Sequence, residues 1–330
     1  MVGIHDILPR SIIVGIPLMV LALSLPVAAQ TPDGSGDEPV VVEAGGASDT
    51  VLPAETLTIA VGTSEPGHIQ LIQRIASDFN TRIGSGEVPG RAMIAVMPVE
   101  DAAAAMDAAN AGRADLALSA LETLHNDPIY GDAYEGMWKR AVAIEVLTIV
   151  TRRTRMVRDP RQLNGLKVEL AGERVDRITR HMNQMLEPHG VGIQGGSFVS
   201  TGGMGDADAF VRLCQAQYDV RVDMVIHPMP AFGGNLPCAV RFMSFNNLDV
   251  PEADGVGVMR HIVPTQTYRW QRGDLVSIGA AVALLDPAGN TNPVMLEGLA
   301  DYLDQLSTRD PAVLSAFDAA LWIGKNPEVD

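Results

Sequence analysis

The chain has 330 residues, a formal net charge of −16, 47% hydrophobic and 19% charged residues, and two cysteines. This length is sufficient for two globular domains, and the hydrophobic content excludes a disordered chain. The strongly acidic charge argues against a nucleic-acid partner, because phosphate backbones would be repelled.

The N-terminal segment, residues 1–29, is typical of a secretory signal peptide. A largely apolar run follows Arg10 and ends in small residues before Gln30, which is the pattern that signal peptidase accepts. We therefore predict a periplasmic protein from which this segment is cleaved. An uncleaved membrane anchor is the alternative, because Asp6 offsets the charge of Arg10. Residues 30–55 lack Lys and Arg and are rich in Gly, Pro, Asp and Glu, which predicts a flexible acidic linker.

The first folded unit is predicted at residues 57–79. An apolar run at residues 57–61 indicates a strand, a turn of small residues follows, and apolar residues then recur at helical spacing up to Phe79. This order places a helix N-terminus at the carboxyl end of a strand, where open α/β sheets hold ligands. Many α/β units share this order, so it does not define a site by itself.

Strands and helices alternate after this unit. A strand at 91–96, a helix at 98–111 and a strand at 114–118 predict a largely parallel sheet. The β-prone run at 141–151 is long enough to cross between two lobes. The glycine-rich segment 195–205 contains no lysine, so we predict a loop rather than a phosphate-binding motif. The remaining predicted elements are strands at 166–170, 220–226 and 276–285 and helices at 178–186, 207–217, 293–306 and 311–322.

Four motifs occur in a characteristic order and spacing: GTSEPGHI at 62–69, GRADLAL at 112–118, LNGLKV at 163–168 and VPTQTYRWQ at 263–271. Together they resemble the motifs of the periplasmic solute-binding subunits of TAXI-type TRAP transporters. The resemblance covers residues 56–323.

The resemblance implies an α/β fold of the two-lobed periplasmic binding protein kind (type II-like), with each lobe a mixed sheet flanked by helices. The first lobe is then discontinuous, residues 56–147 and 250–330, and residues 148–249 form the second lobe. A ligand cleft lies between the lobes. The resemblance further implies a monomer that captures a small-molecule solute, delivers it to TRAP membrane permease subunits, and needs no cofactor or metal.

The ligand-binding residues implied by the resemblance are Thr63, Ser64, His68, Glu122, Arg174, Arg177 and His227. Members of the family bind small carboxylates with paired glycines in the first turn, but Glu65 and Pro66 stand there in this chain. Glu100 and Asp101 likewise occupy the second such turn.

Because acids repel a carboxylate and proline has no N–H donor, we expect the usual anion cradle to be lost. A solute is then either cationic on that side or held by Arg174 or Arg177. The alternative is structural: the acids favour helix N-termini anywhere, and the two arginines pair with Glu173 and Asp176 on a solvated face.

The two cysteines, Cys214 and Cys238, predict a disulfide, because an isolated pair in an exported chain is usually bridged. We predict that the protein is not an enzyme. Its seven histidines show no metal-ligand spacing on a helix, and the chain has no GxSxG motif. A solute sensor or a protein-docking module without a transport role is the alternative function.

Overall fold

A computed structural model of the chain describes residues 55–85, 92–125, 136–171, 174–191, 207–246 and 257–323. The predicted signal peptide, almost all of the acidic linker and the glycine-rich segment 195–205 lie outside these residues. The strands are β1 (Thr56–Gly62), β2 (Met93–Val99), β3 (Leu116–Ala120), β4 (Trp138–Arg152), β5 (Val168–Leu170), β6 (Val220–Ile226), β7 (Val240–Met243), β8 (Val258–Val263) and β9 (Leu275–Asp286). The helices are α1 (Pro66–Ser85), α2 (Ala102–Asn110), α3 (Leu121–His125), α4 (Val175–Leu186), α5 (Ala207–Cys214), α6 (Pro230–Gly233), α7 (Pro293–Ser307) and α8 (Ala316–Trp322).

The strands form one mixed sheet with the order β2-β1-β3-β9-β4-β6-β5. β1 pairs in parallel with β2 and β3, and β5 pairs in parallel with β6. The two long strands, β4 and β9, are antiparallel to each other and stand between these two parallel groups. β7 pairs with β4, and β8 pairs with β9. The chain therefore has a first half around β1–β3 and a second half around β5–β7.

Helices cover both faces of the sheet in each half. In the first half, α1 and α7 pack on one face through residues such as Ile72 and Leu303, and α2, α3 and α8 pack on the other. In the second half, α4 packs on one face through Ile178, and α5 and α6 pack on the other through residues such as Phe232. This arrangement confirms the predicted α/β fold with two lobes. Because β4 and β9 run through both halves, the halves share one continuous sheet rather than having a sheet each, and the exact lobe boundaries remain a prediction.

The helix predicted at 98–111 begins later than expected. β2 continues to Val99 because it pairs with β1 along the full length of both strands. Asp101 then has an extended backbone, and its side chain accepts a hydrogen bond from the Ala104 N–H at 2.8 Å. Asp101 is thus the N-cap of α2 rather than a residue of its first turn.

The predicted disulfide is confirmed. Cys214 and Cys238 are bonded, with their Cα atoms 5.6 Å apart, and the bridge ties the end of α5 to the segment before β7. Within the described residues, no helix combines the length and the apolar character that a membrane span requires.

Candidate binding cleft

Charged side chains from both halves meet near the carboxyl ends of the parallel strands, where open α/β sheets hold ligands. They come from the turns and helices that follow β1, β3 and β5, and from the strands β4 and β6. We call this group the ionic cluster, and its members are Glu65, His68, Glu122, Glu145, Arg174, Arg177, His181 and Asp223. Seven of the eight are buried, and the side chain of Glu65 is 13% exposed.

Arg174 links the two halves through their opposing turns. It lies directly before α4, and its Nη1 atom is 3.0 Å from Oε2 of Glu65 in the turn before α1. Its Nη2 atom is 2.9 Å from Oδ1 of Asp223 on β6, and Nη1 also donates to the carbonyl of Met224 at 3.3 Å. The guanidinium is therefore held from both sides by carboxylates of the chain itself.

Arg177 makes the second connection between the halves. Its Nε atom donates to Glu122 on α3, and its Nη1 atom is 2.7 Å from Oε2 of Glu145 on β4. His181 lies one turn further along α4, so it shares a face with Arg177. Its Nε2 atom is 2.7 Å from the other oxygen of Glu122. Glu122 of the first half is thus enclosed by two side chains of α4.

His68 completes the cluster from the first turn of α1. Its Nε2 atom is 2.6 Å from Oε1 of Glu145. Glu145, on one of the two strands shared by both halves, therefore contacts a side chain of α1 and a side chain of α4 at once.

The cluster contains more carboxylates than guanidiniums. Four carboxylates face two arginines, so the group has a formal charge of −2 when both histidines are neutral. Burial alone would raise the pKa of Glu122, but Arg177 and His181 outweigh it and lower this pKa to about 2. Burial likewise opposes ionisation of Glu145, yet Arg177 and His68 hold its pKa well below the ordinary value.

Glu65 behaves differently from these two acids. Burial, followed by repulsion from Glu145, raises its pKa, and the attraction of His68 and Arg174 does not compensate. Among Glu65, Glu122 and Glu145, Glu65 is therefore the acid whose negative charge is least well balanced by the protein.

A cavity of about 400 Å³ adjoins the ionic cluster. Its walls are the exposed side of the first turns of α1 and the end of β6 with the segment that follows, and Arg174 and Asp223 lie at its inner edge. This volume is within the range of small-molecule sites, although near its lower end.

Three of the cluster side chains have the donor atoms of a metal site. One ligand atom each from Glu65, His68 and Glu145 lies within 4.8 Å of the others. Both carboxylates, however, are also contacted by guanidiniums, Arg174 on Glu65 and Arg177 on Glu145. A cation at this point would have to displace these arginines, so the donor set fits a metal ion poorly.

The structure brings four of the seven residues predicted to bind ligand into the cluster: His68, Glu122, Arg174 and Arg177. Thr63 is exposed, and its hydroxyl donates to the Glu100 carbonyl at 3.1 Å. The N–H of Ser64 donates to the same carbonyl at 3.2 Å. Both residues tie the first turn to the second and have no contact with the cluster among the described interactions.

His227 lies at the end of β6 but has partners of its own. Its Nε2 atom is 2.9 Å from the Thr148 hydroxyl, and its Nδ1 atom is 2.6 Å from the Tyr268 hydroxyl, which also accepts the Met229 N–H. Burial, with a smaller contribution from His261, lowers the pKa of His227 to about 3. Both ring nitrogens are engaged by the protein, so a donor role toward a solute is not supported by this geometry.

The two arginines do not lie on a solvated face, contrary to the structural alternative, and Glu173 lies outside the described residues. Arg174 and Arg177 are 7% and 8% exposed and bond to acids far away in the chain. Sequence reasoning missed Glu145, His181 and Asp223. A signal was available for the two acids, since each is a charged residue within a largely apolar strand: AVAIEVLTIVT for Glu145, and VRVDMVI, which also contains Arg221, for Asp223.

Comparisons with known proteins give only distant similarities. No family model and no curated protein matches the chain. Among solved structures, it is similar to an ABC-type phosphate transport receptor from Vibrio cholerae, at 14% identity and a TM-score of 0.45, over 77% of this chain and 96% of that one. A similar match is the periplasmic aliphatic sulphonate binding protein SsuA from Escherichia coli, at 14% identity and a TM-score of 0.45, over 82% of this chain and 80% of that one.

The same similarity extends to a regulator. The regulatory domain of MetR from N. meningitidis, of the LysR family, matches at 10% identity and a TM-score of 0.45, over 79% of this chain and 98% of that one. At these values the similarities say nothing about what this chain binds.

Proposed function

We propose that this protein is an exported, non-catalytic solute-binding protein that captures a small organic solute between its two halves. In this proposal it delivers the solute to TRAP-type membrane subunits, as its sequence motifs imply. The solute carries a cationic group, such as an ammonium, rather than only a carboxylate. The observation that carries the proposal is the composition of the ionic cluster, in which buried carboxylates outnumber guanidiniums across the contact between the halves.

The bonds that Arg174 and Arg177 already make argue against a solute held through a carboxylate, which is how the resemblance to TAXI-type proteins would have it bind. Arg174 and Arg177 are each bonded to two carboxylates of the chain, so an incoming carboxylate would have to compete with acids already in place. An ammonium group meets the opposite situation. It would bind beside Glu65 and Asp223 in addition to Arg174, and its carbon skeleton would lie in the adjoining 400 Å³ cavity. Because the cluster has an excess of negative charge with both arginines in place, an added cation is favoured.

Binding of a cation would also release protons. Glu65 has a raised pKa, and a cation beside it stabilises the ionised form. We therefore expect cation binding to strengthen as the pH rises through the pKa of Glu65. Calorimetry in two buffers with different ionisation enthalpies measures this proton release directly.

The first experiment is native mass spectrometry of the purified mature protein, followed by titration with 1,4-diaminobutane, L-arginine, L-glutamate and pyruvate. We expect an amine or a zwitterion to bind, and binding to weaken at least tenfold in Glu65→Gln. The control variant Glu187→Gln removes one acid from an exposed position directly after α4 and should leave binding unchanged. A stoichiometric carboxylate whose affinity does not depend on Glu65 would refute the cationic assignment.

The transport role needs a separate test. Purified TRAP membrane subunits from the same cell, reconstituted in vesicles, should accumulate the bound solute only when this protein is present. Binding of solute without any stimulation of uptake would favour the sensor alternative instead.

A further inference from the structure

A second charged pocket lies in the second half, away from the ionic cluster. It is formed where the loop after β4, the strand β7 and the segment before β9 meet, and it has a volume of about 290 Å³. We call it the arginine pocket, and its lining includes Arg153, Arg158, Arg241, Arg272, Trp270 and Asp274. Glu145 of the ionic cluster is eight residues before Arg153 along extended chain, roughly 25 Å away. The two sites are therefore separate.

The charge of this pocket contrasts with that of the whole molecule. The chain has a net charge of −16, yet four guanidiniums line the pocket against one carboxylate, Asp274. One oxygen of Asp274 already accepts the Thr265 N–H at 2.7 Å. Within the described residues, no ion pair involves Arg153, Arg158 or Arg272. The neighbouring Arg152 and Arg155, by comparison, both pair with Asp219.

Arg241 is held at the pocket by backbone carbonyls. Its Nη2 atom donates to the carbonyl of Arg153 and, at 3.1 Å, to that of Arg155, so it braces the loop that carries Arg153 and Arg158. Its Nε atom is buried and has no hydrogen-bond partner. Burial, and then repulsion from Arg158 and Arg153, lowers the pKa of Arg241. The fold therefore holds like charges together, an arrangement that a bound anion would relieve.

Trp270 gives the pocket a flat apolar wall. Its indole N–H donates to the Phe232 carbonyl at 2.8 Å, and its ring stacks on Tyr268 with an interplanar angle of 12°. The ring is thus held rigidly and is only partly buried. A ligand with an anionic group and an organic part could place the first on the arginines and the second against Trp270.

We infer that the arginine pocket binds a phosphate group, either of a soluble phosphate monoester or of a lipid headgroup. A phosphate offers up to two negative charges and several acceptor oxygens, and guanidiniums bind such oxygens in paired hydrogen bonds. A single carboxylate would satisfy fewer of the four guanidiniums. This site goes beyond the proposed solute cleft and does not depend on it.

The test is calorimetric titration of the mature protein with inorganic phosphate and with glycerol 3-phosphate, and flotation with phosphatidylglycerol vesicles or phosphatidylcholine vesicles. The test variant combines Arg158→Gln and Arg272→Gln, which leaves the bracing residue Arg241 in place. The control combines Arg113→Gln and Arg180→Gln, two exposed arginines outside the pocket with the same change in net charge. Melting temperatures of both variants confirm folding.

We expect at least one phosphate probe to bind the wild-type protein and the control, with at least tenfold weaker binding by the test variant. Binding of glycerol 3-phosphate identifies a soluble monoester site. Binding only to phosphatidylglycerol vesicles identifies a headgroup site. The inference is overturned if no probe binds, or if the control loses as much affinity as the test variant, because binding would then depend on net charge alone.

Discussion

Replacing Arg177 by methionine tests whether the ionic cluster stabilises the fold. Arg177→Met keeps much of the side-chain volume but removes the charge that Glu122 and Glu145 share. A buried ion pair that loses one partner costs about 3–5 kcal/mol, because the remaining charge is buried without compensation. We expect a loss of this size in the free energy of unfolding at pH 7.

The lowered pKa of Glu122 gives a second way to work out how much stability is lost in Arg177→Met. A pKa of about 2 in the folded protein, against the ordinary 4.5, corresponds to about 3 kcal/mol of stability. Because this pKa is lowered by folding, the contribution is complete above pH 4.5 and is lost as the pH falls toward 2. Arg177→Met lacks most of this contribution of Glu122 at every pH. The difference between the wild-type protein and Arg177→Met should therefore shrink by about 1–2 kcal/mol between pH 7 and pH 3.5.

The assay is urea unfolding followed by circular dichroism at both pH values. Arg180→Met is the matched control, since Arg180 lies on the same helix with an exposed side chain. If Arg177→Met unfolds within 0.5 kcal/mol of this control, the cluster does not stabilise the fold. A loss that is equal at both pH values would show that Glu122 does not depend on Arg177.

Two further predictions concern packing and protonation. A Cβ atom on Gly279 would lie 2.7 Å from Cβ of His261, so Gly279→Ala should lower the free energy of unfolding by about 1–3 kcal/mol. Gly298 occupies an open position of α7, so Gly298→Ala should raise it by about 0.5–1 kcal/mol. Equal melting temperatures of the two variants would contradict this prediction. His227, with its pKa lowered to about 3, should stay neutral from pH 8 to pH 5 in NMR spectra of its ring, and a ring signal that titrates near pH 6.5 would refute this. Because the Tyr268 hydroxyl bonds to the His227 ring, Tyr268→Phe should lower the free energy of unfolding by about 1–3 kcal/mol.

The sequence predicts most of the secondary structure because the core elements have strong local patterns. α1 repeats apolar residues at helical spacing. β9 is a largely apolar run, with Ser277 inside it and Asp286 at its end, and it is buried along its whole length. The start of α2 was predicted less well. Its position depends on how far β2 pairs with β1, and a local pattern does not contain the length of that pairing.

The candidate site was predicted in part. Arg174 and Arg177 were identified as cleft residues, but their partners follow from the topology that brings α1, α3, β4 and β6 together. Glu65 is 109 residues from Arg174 in the chain. From charge alone, acids close in sequence are the simplest partners for the two arginines. The arginines are buried, however, and a buried guanidinium bonds to the acids that are buried with it.

β9 also has a consequence for how the chain is made. It forms hydrogen bonds with β3, β4 and β8, and it is the last strand among the residues that the structure describes. Until residue 286 has been synthesised, β3 and much of β4 have a free edge, and no part of the sheet can link the two halves as it does in the folded protein. Such pairing between distant segments forms slowly. The topology thus delays completion of the sheet until β9 has been synthesised.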